Sequence, residues 1–214
     1  MAKKPFTPIP PMAELPPAEQ INVAELLDKY LAGEIDLICV LGPTASGKTR
    51  YAVQLARQIN ELYRLRAAGR SALDVIDIAD SIESIDIHDC SSGHVETESV
   101  AEIISADSRQ VYRGMDIGTG KDLSEYEEIP YHLMDIVEAG TKYNIFEYQR
   151  DFEKAYRDIR ERGCIPILCG GSGLYIEAAT CGYSLPEVPA DQTLRIELEK
   201  ESDEELIKRL AALK

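Results

Sequence analysis

The chain has 214 residues, 44% hydrophobic and 29% charged, an ordinary globular balance with enough length to bury one core. Its 23 basic and 38 acidic residues leave a formal net charge of −15 at pH 7. That argues against a surface built throughout for nucleic acid, while leaving room for a local basic patch. No apolar run of about 18 residues exists to span a membrane, and no apolar stretch follows the basic N-terminus as in a secretory signal.

Residues 1–20 are proline-rich without periodicity and read as an extended arm. Residues 21–32 (INVAELLDKYLA) predict a short amphipathic helix closed by Gly33. With the arm they form an N-terminal segment, 1–35, ahead of a catalytic domain at 36–214. The apolar run at 36–41 (DLICVL) predicts a buried parallel strand, followed by a glycine-rich turn. A helix is expected from about Lys48 to Ala68, with Leu55, Ile59 and Leu62 on one face. The acidic, partly alternating stretch at about 69–99 reads as a surface insertion. Further strands are expected at 101–105 (AEIIS), 132–137 (HLMDIV) and 165–170 (IPILCG). A helix at 147–163 separates the last two, and GGSGLYIEAATCG opens another. Strands alternating with helices imply an α/β fold: a parallel sheet with helices on both faces.

Five cysteines occur without CxxC spacing, and Cys39, Cys164 and Cys169 lie in or beside apolar runs. They read as small core residues of a protein kept in a reducing compartment, which fits the cytoplasm. His88, Cys90 and His94 in the insertion match no common zinc spacing, so no metal is assigned to them.

The turn at 42–49, GPTASGKT, fits the phosphate-binding pattern GxxxxGK[ST] between a predicted strand and helix, the context the pattern requires. Glycines let backbone N–H groups close around phosphate oxygens, and the helix N-terminus adds partial positive charge. Gly42, Thr44, Ala45, Ser46, Gly47, Lys48 and Thr49 are therefore the candidate binding positions. Lys48 supplies a point charge, and the Thr49 hydroxyl can hold Mg²⁺. The fold expected on this basis is a P-loop nucleoside-triphosphatase-like sheet. Beyond the second strand the chain reads SADSRQVYR from Ser105. Ligands of parallel sheets bind at the carboxyl ends of strands, so Asp107 would point toward the phosphates. It could orient Mg²⁺, act as a base, or merely cap the following turn. Lys121, His132 and Asp135 could also reach phosphates, though each is more often structural.

Four blocks, GPTASGKT, AEIISADSRQVYRGMDIGTGK, IPYHLMDI and IPILCGGSGLYIEA, closely resemble the tRNA dimethylallyltransferases, also called tRNA isopentenyltransferases, and come in that family's order. The resemblance implies that the P-loop holds the pyrophosphate of dimethylallyl diphosphate, with Thr44, Ser46, Gly47, Lys48 and Thr49 at diphosphate-binding positions. It makes Asp107 the base that accepts a proton from the exocyclic amine of adenine. Asp107, Ser108, Arg109 and Gln110 fall in the stretch that touches the anticodon-loop nucleotides of tRNA. Ser172 stands where the family usually carries threonine, keeping a hydroxyl for a tRNA contact. Mg²⁺ is the implied cofactor and a monomer the expected state. The insertion at 69–99 departs from the family pattern, and the helical run SDEELIKRLAALK stops where family members continue, as expected of a fragment or a reduced form. Three alternatives keep the P-loop: an adenylate isopentenyltransferase acting on free AMP, ADP or ATP, a small-molecule kinase, and a non-catalytic nucleotide-binding module.

Overall fold

Four parallel strands run through the centre of the computed structural model, which describes residues 21–69, 99–121, 123–183 and 191–213. The expected arm at 1–20 lies outside them, as do most of the expected insertion and its His88, Cys90 and His94. In chain order the elements are α1 (Val23–Leu31), β1 (Ile38–Leu41), α2 (Lys48–Ala67), β2 (Ala101–Ala106) and β3 (Tyr131–His132). Then follow α3 (Ile145–Glu161), β4 (Ile165–Gly170), α4 (Gly173–Cys181), α5 (Gln192–Leu198) and α6 (Asp203–Ala212). The sheet order is β1-β4-β2-β3, so β4, last in sequence, sits beside β1 and between it and β2.

The period-2 alternation of the strands divides the core between two faces. Ile38, Val40, Ala101, Ile103, Ile165, Ile167 and Cys169 face α1 and α2. Ile104, Ala106 and Leu168 face α3 and α4. Helix α2 contributes Ala52, Val53, Leu55, Ala56, Ile59, Leu62 and Leu65 to the first face, including the three residues expected from periodicity. Full burial of each larger aliphatic among them stabilises the fold by about 1.5–3 kcal/mol.

Local signals set the helix ends. Asn22 caps α1 by accepting from the Glu25 N–H at 3.1 Å. Asn144 and Glu147 form a reciprocal capping box on α3: the Asn144 side chain accepts from Phe146 N–H at 2.8 Å, and Glu147 accepts from Asn144 N–H at 2.7 Å. Helices α5 and α6 bury no side chain.

Two expectations are corrected. The strand expected at 132–137 stops at His132, because Leu133 (φ 62°) and Asp135 (φ 53°) take left-handed conformations that end a ladder. The following residues pair instead with the loop after β2: Asp135 N–H donates to Gln110 O, and Ile136 and Val137 N–H donate to Val111 O. Cys39 is exposed rather than core, and so is Leu41, because β1 is an edge strand with only Ile38 and Val40 buried. Cys169, on the internal strand β4, is buried as expected, and Cys164 is half-buried.

Candidate active site

The carboxyl ends of β1, β2 and β4 carry the 42–49 loop, the turn from Asp107 and the turn from Gly171. Gly47 adopts φ 79° just before α2, a left-handed conformation open to a residue without Cβ. Ala45 adopts φ 62°. Alternating backbone handedness of this kind turns successive N–H groups toward one anion-sized hollow.

The loop is held closely from behind. Gly42 N–H donates to Gly170 O at 3.3 Å. A Cβ placed on Gly171 would stand 2.6 Å from Gly42 O and 3.7 Å from Lys48 Cε. The turn after β4 therefore forms the back wall of the loop, with no room for a side chain. The Lys48 ammonium donates to the loop's own Pro43 O at 3.2 Å.

Beneath the loop, the buried Tyr126 and Cys169 lie near Thr49. Burial pushes the Tyr126 phenol well above its ordinary value. Burial likewise pushes the Cys169 thiol up to about 11, against the opposing influence of Lys48 and Thr49. Both groups are neutral at pH 7, so the floor adds no charge that would repel a bound phosphate.

Asp107 follows β2 directly and is buried. Its Oδ1 accepts from Arg109 N–H at 2.9 Å and lies 3.6 Å from Arg109 Nε. No described residue hydrogen-bonds its Oδ2. Arg109 also reaches Thr44 Oγ1 at 3.5 Å, linking the Asp107 turn to the phosphate loop. The Ser172 hydroxyl accepts from Ser108 N–H at 2.9 Å and donates to Ser108 Oγ at 3.3 Å, so it pins the Asp107 turn to the start of α4. Tyr148 supports the same turn from below: its hydroxyl donates to Ser105 O at 3.2 Å, and its ring stacks on Tyr175 at 3.9 Å.

The structure thus brings together Lys48, Thr49, Asp107, Ser108, Arg109 and Ser172. Gln110 is turned inward. It accepts from Ser105 Oγ at 2.9 Å and donates to Gly120 O at 3.1 Å. Lys121 and Asp135 pair with each other, and His132 bonds Glu102 at 2.6 Å, within a cluster that includes Arg162. All three are thus engaged by scaffold partners. Sequence reasoning missed Tyr126, Cys169 and Gly171. Gly171 had a visible signal, the glycine pair ending the IPILCGG run, whereas Tyr126 lies in a segment without periodicity.

Among the described residues no cluster of His, Cys, Asp and Glu could hold a metal ion, and no helix is long and apolar enough to cross a membrane.

Comparison with known proteins gives a consistent picture. A family model described as IPP transferase matches residues 110–214. A tRNA dimethylallyltransferase 2 of Bacteroides fragilis is 45% identical over 185 residues, covering 85% of this chain and 47% of the relative. A tRNA dimethylallyltransferase 1 of Geotalea daltonii is 46% identical over 175 residues, covering 82% and 44%. The chain thus spans about half the length of the curated relatives it matches. Among solved structures, a full-length tRNA isopentenylpyrophosphate transferase from Bacillus halodurans aligns with TM-score 0.50 and 31% identity, covering 84% of this chain and 48% of that one. A eukaryotic dimethylallyltransferase acting on tRNA aligns with TM-score 0.51 at 24% identity, covering 78% of this chain and 33% of that one, and supports the fold.

Proposed function

This chain belongs to the IPP transferase family, and from that premise we propose that it moves a dimethylallyl group from dimethylallyl diphosphate to the exocyclic N6 of an adenine in the tRNA anticodon loop. One observation carries the reading. A buried carboxylate, Asp107, whose Oδ2 no described residue hydrogen-bonds, stands at the strand end beside the phosphate-binding loop, and Arg109 joins the two.

The chemistry follows from those groups. The diphosphate sits in the 42–49 loop against backbone N–H groups and Lys48. The adenine nitrogen forms a bond to the allylic carbon as the carbon–oxygen bond to diphosphate breaks. Negative charge grows on the departing group, so the loop dipoles and Lys48 stabilise the transition state more than the ground state. An aryl amine is a weak nucleophile, and Asp107 Oδ2 takes its proton as the bond forms. Thr49 offers the hard oxygen donor that Mg²⁺ prefers and, with the diphosphate oxygens, is the residue that would hold the ion. Bound there, Mg²⁺ would offset charge on the leaving diphosphate. The adenine reaches Asp107 only after leaving its stack, so base extrusion is part of the reading. Ser108 and Arg109 are the anticodon-loop contacts the geometry favours, while Gln110 and Ser172 act by holding the turn in place. The enzyme is taken to work as a cytoplasmic monomer.

The net charge of −15 favours a second acceptor class, free AMP, ADP or ATP. One experiment tests both. The protein is incubated with dimethylallyl diphosphate and either tRNA or adenine nucleotide, and the nucleosides are analysed by mass spectrometry. Prenylated adenosine from tRNA supports the proposal. Prenylation of free nucleotide alone selects the second reading, and no prenylation of either refutes both.

A further inference from the structure

Residues 114–120, between the Asp107 turn and Lys121, form an irregular, mostly exposed loop with polar groups bonded within it and to its flanks. The Lys121 side chain is fully buried; its ammonium donates to Tyr112 O at 2.9 Å and pairs with Asp116 at 2.8 Å and with Asp135. The Thr119 hydroxyl donates to Met115 O at 2.6 Å and closes the turn. Gln110 holds Gly120 O and thereby ties the base of the loop to the Asp107 turn. With both flanks braced, the loop exposes Ile117 most fully, at 99%, next to the less exposed Met115 and the paired Asp116. Single exposed apolar residues are common on protein surfaces and need no function. Ile117 differs in its support. It is β-branched and stiff at χ1, and it stands on a loop clamped by a buried lysine. Asp116, next to it in the chain, is paired with Lys121, which lowers its repulsion of a polyanion.

Proteins that unstack nucleic acid insert an apolar side chain into the gap, and extrusion of a base leaves such a gap. We propose that Ile117 is that wedge: a positioning residue that enters the anticodon-loop stack and fills the space vacated when the acceptor adenine turns out toward Asp107. The inference rests on the tRNA reading above. It names a residue outside the P-loop and the Asp107 turn, and its effect lies on the acceptor side alone.

The test uses an anticodon stem–loop carrying 2-aminopurine at the acceptor position, whose fluorescence rises when the base unstacks and which offers no N6 amine to react. Wild-type protein should bind the hairpin and raise the signal. Ile117→Ser should keep the wild-type thermal midpoint and donor affinity, bind the hairpin within about twofold by anisotropy, and lose most of the fluorescence rise. Its kcat/KM with unmodified tRNA should fall about 10–100-fold, since unstacking is the step left unsupported. Ile117→Leu should recover most of the signal. A full fluorescence rise with Ile117→Ser would overturn the inference. So would a weakened affinity of that variant for dimethylallyl diphosphate, which would place Ile117 in the donor pocket. If the wild-type protein prenylates tRNA yet leaves 2-aminopurine stacked, the wedge is refuted and the proposed function stands. If it prenylates no tRNA, the proposed function itself has failed, and the inference falls with it.

Discussion

Replacing Gly171 with alanine separates the architecture of the phosphate loop from the stability of the sheet. Gly171 does not have a positive φ, so alanine can take its backbone conformation, and the effect reports on the new methyl alone. That methyl would stand 2.6 Å from the Gly42 carbonyl oxygen, where ordinary contact begins near 3.4 Å, so the two must part by about 0.8 Å. Gly42 opens the phosphate loop, and Lys48 Cε lies 3.7 Å from the same methyl. The displacement therefore falls on the groups that would hold the diphosphate. Misplacement of reacting groups by about 1 Å can cost about 10²-fold in rate, so Gly171→Ala is expected to lower kcat/KM for dimethylallyl diphosphate by about 10–100-fold. The loop carries little of the core, so the thermal midpoint should move by only a few degrees. Gly170→Ala is the control. Its methyl would lie 2.3 Å from the Ala106 carbonyl oxygen, between β4 and β2, and two paired strands cannot yield as a loop can. Overpacking of that kind costs about 1–3 kcal/mol or more, a loss of roughly 2–12 °C in Tm for a chain of this size. Steady-state kinetics over a donor series, with circular dichroism melts of both variants, measures the contrast. Wild-type kcat/KM in Gly171→Ala would refute the placement of the donor against the Gly171 turn.

Lys48→Ala removes the loop's lysine charge and should abolish measurable donor binding by isothermal titration calorimetry while leaving the melt unchanged; unaltered affinity would contradict the diphosphate assignment. Asp107→Asn should keep the fold and donor affinity but lower turnover by about 10²–10⁴-fold, the range for a general base, and single-turnover kinetics with tRNA would reveal whether the chemical step is the one that slows. Burial raises the Glu102 carboxyl, yet hydrogen bonds from Arg162 and His132 more than offset this and hold it below the ordinary glutamate value. A depressed folded value means that stability is fully present above the unfolded pKa near 4.3 and is lost as pH falls through the folded value. Urea unfolding between about pH 6 and pH 3 should show that loss in wild type and a smaller pH dependence in Glu102→Gln; equal slopes would remove Glu102 as its source.

The candidate binding and reacting residues were legible in the primary structure because their signal is local. GPTASGKT occupies eight consecutive positions whose chemistry depends on spacing along one turn. The turn from Asp107 declares itself by following an apolar strand run. Helix α3 could be read from its periodicity, and its start carries the Asn144–Glu147 pair of a capping box. These features need no knowledge of what packs against them. Other facts depend on which segments become neighbours. DLICVL and IPILCG look alike as apolar runs, yet one lies at the sheet edge with Cys39 exposed and the other is internal with Cys169 buried. Strand order comes from long-range pairing, which leaves no mark in either run. HLMDIV has the composition of a strand but ends after His132, because its later N–H groups find carbonyl partners at Gln110 and Val111. Lys121 and Gln110 carry polar groups suited to a ligand, and only the folded chain shows these groups turned inward on Asp116, Asp135, Ser105 and Gly120. The sequence alone determined which residues are candidates for the proposed chemistry, since the phosphate-loop pattern and the Asp107 turn are each written in contiguous residues. Tertiary structure decided which polar side chains remain free to use it, because burial and pairing are properties of the assembled neighbours.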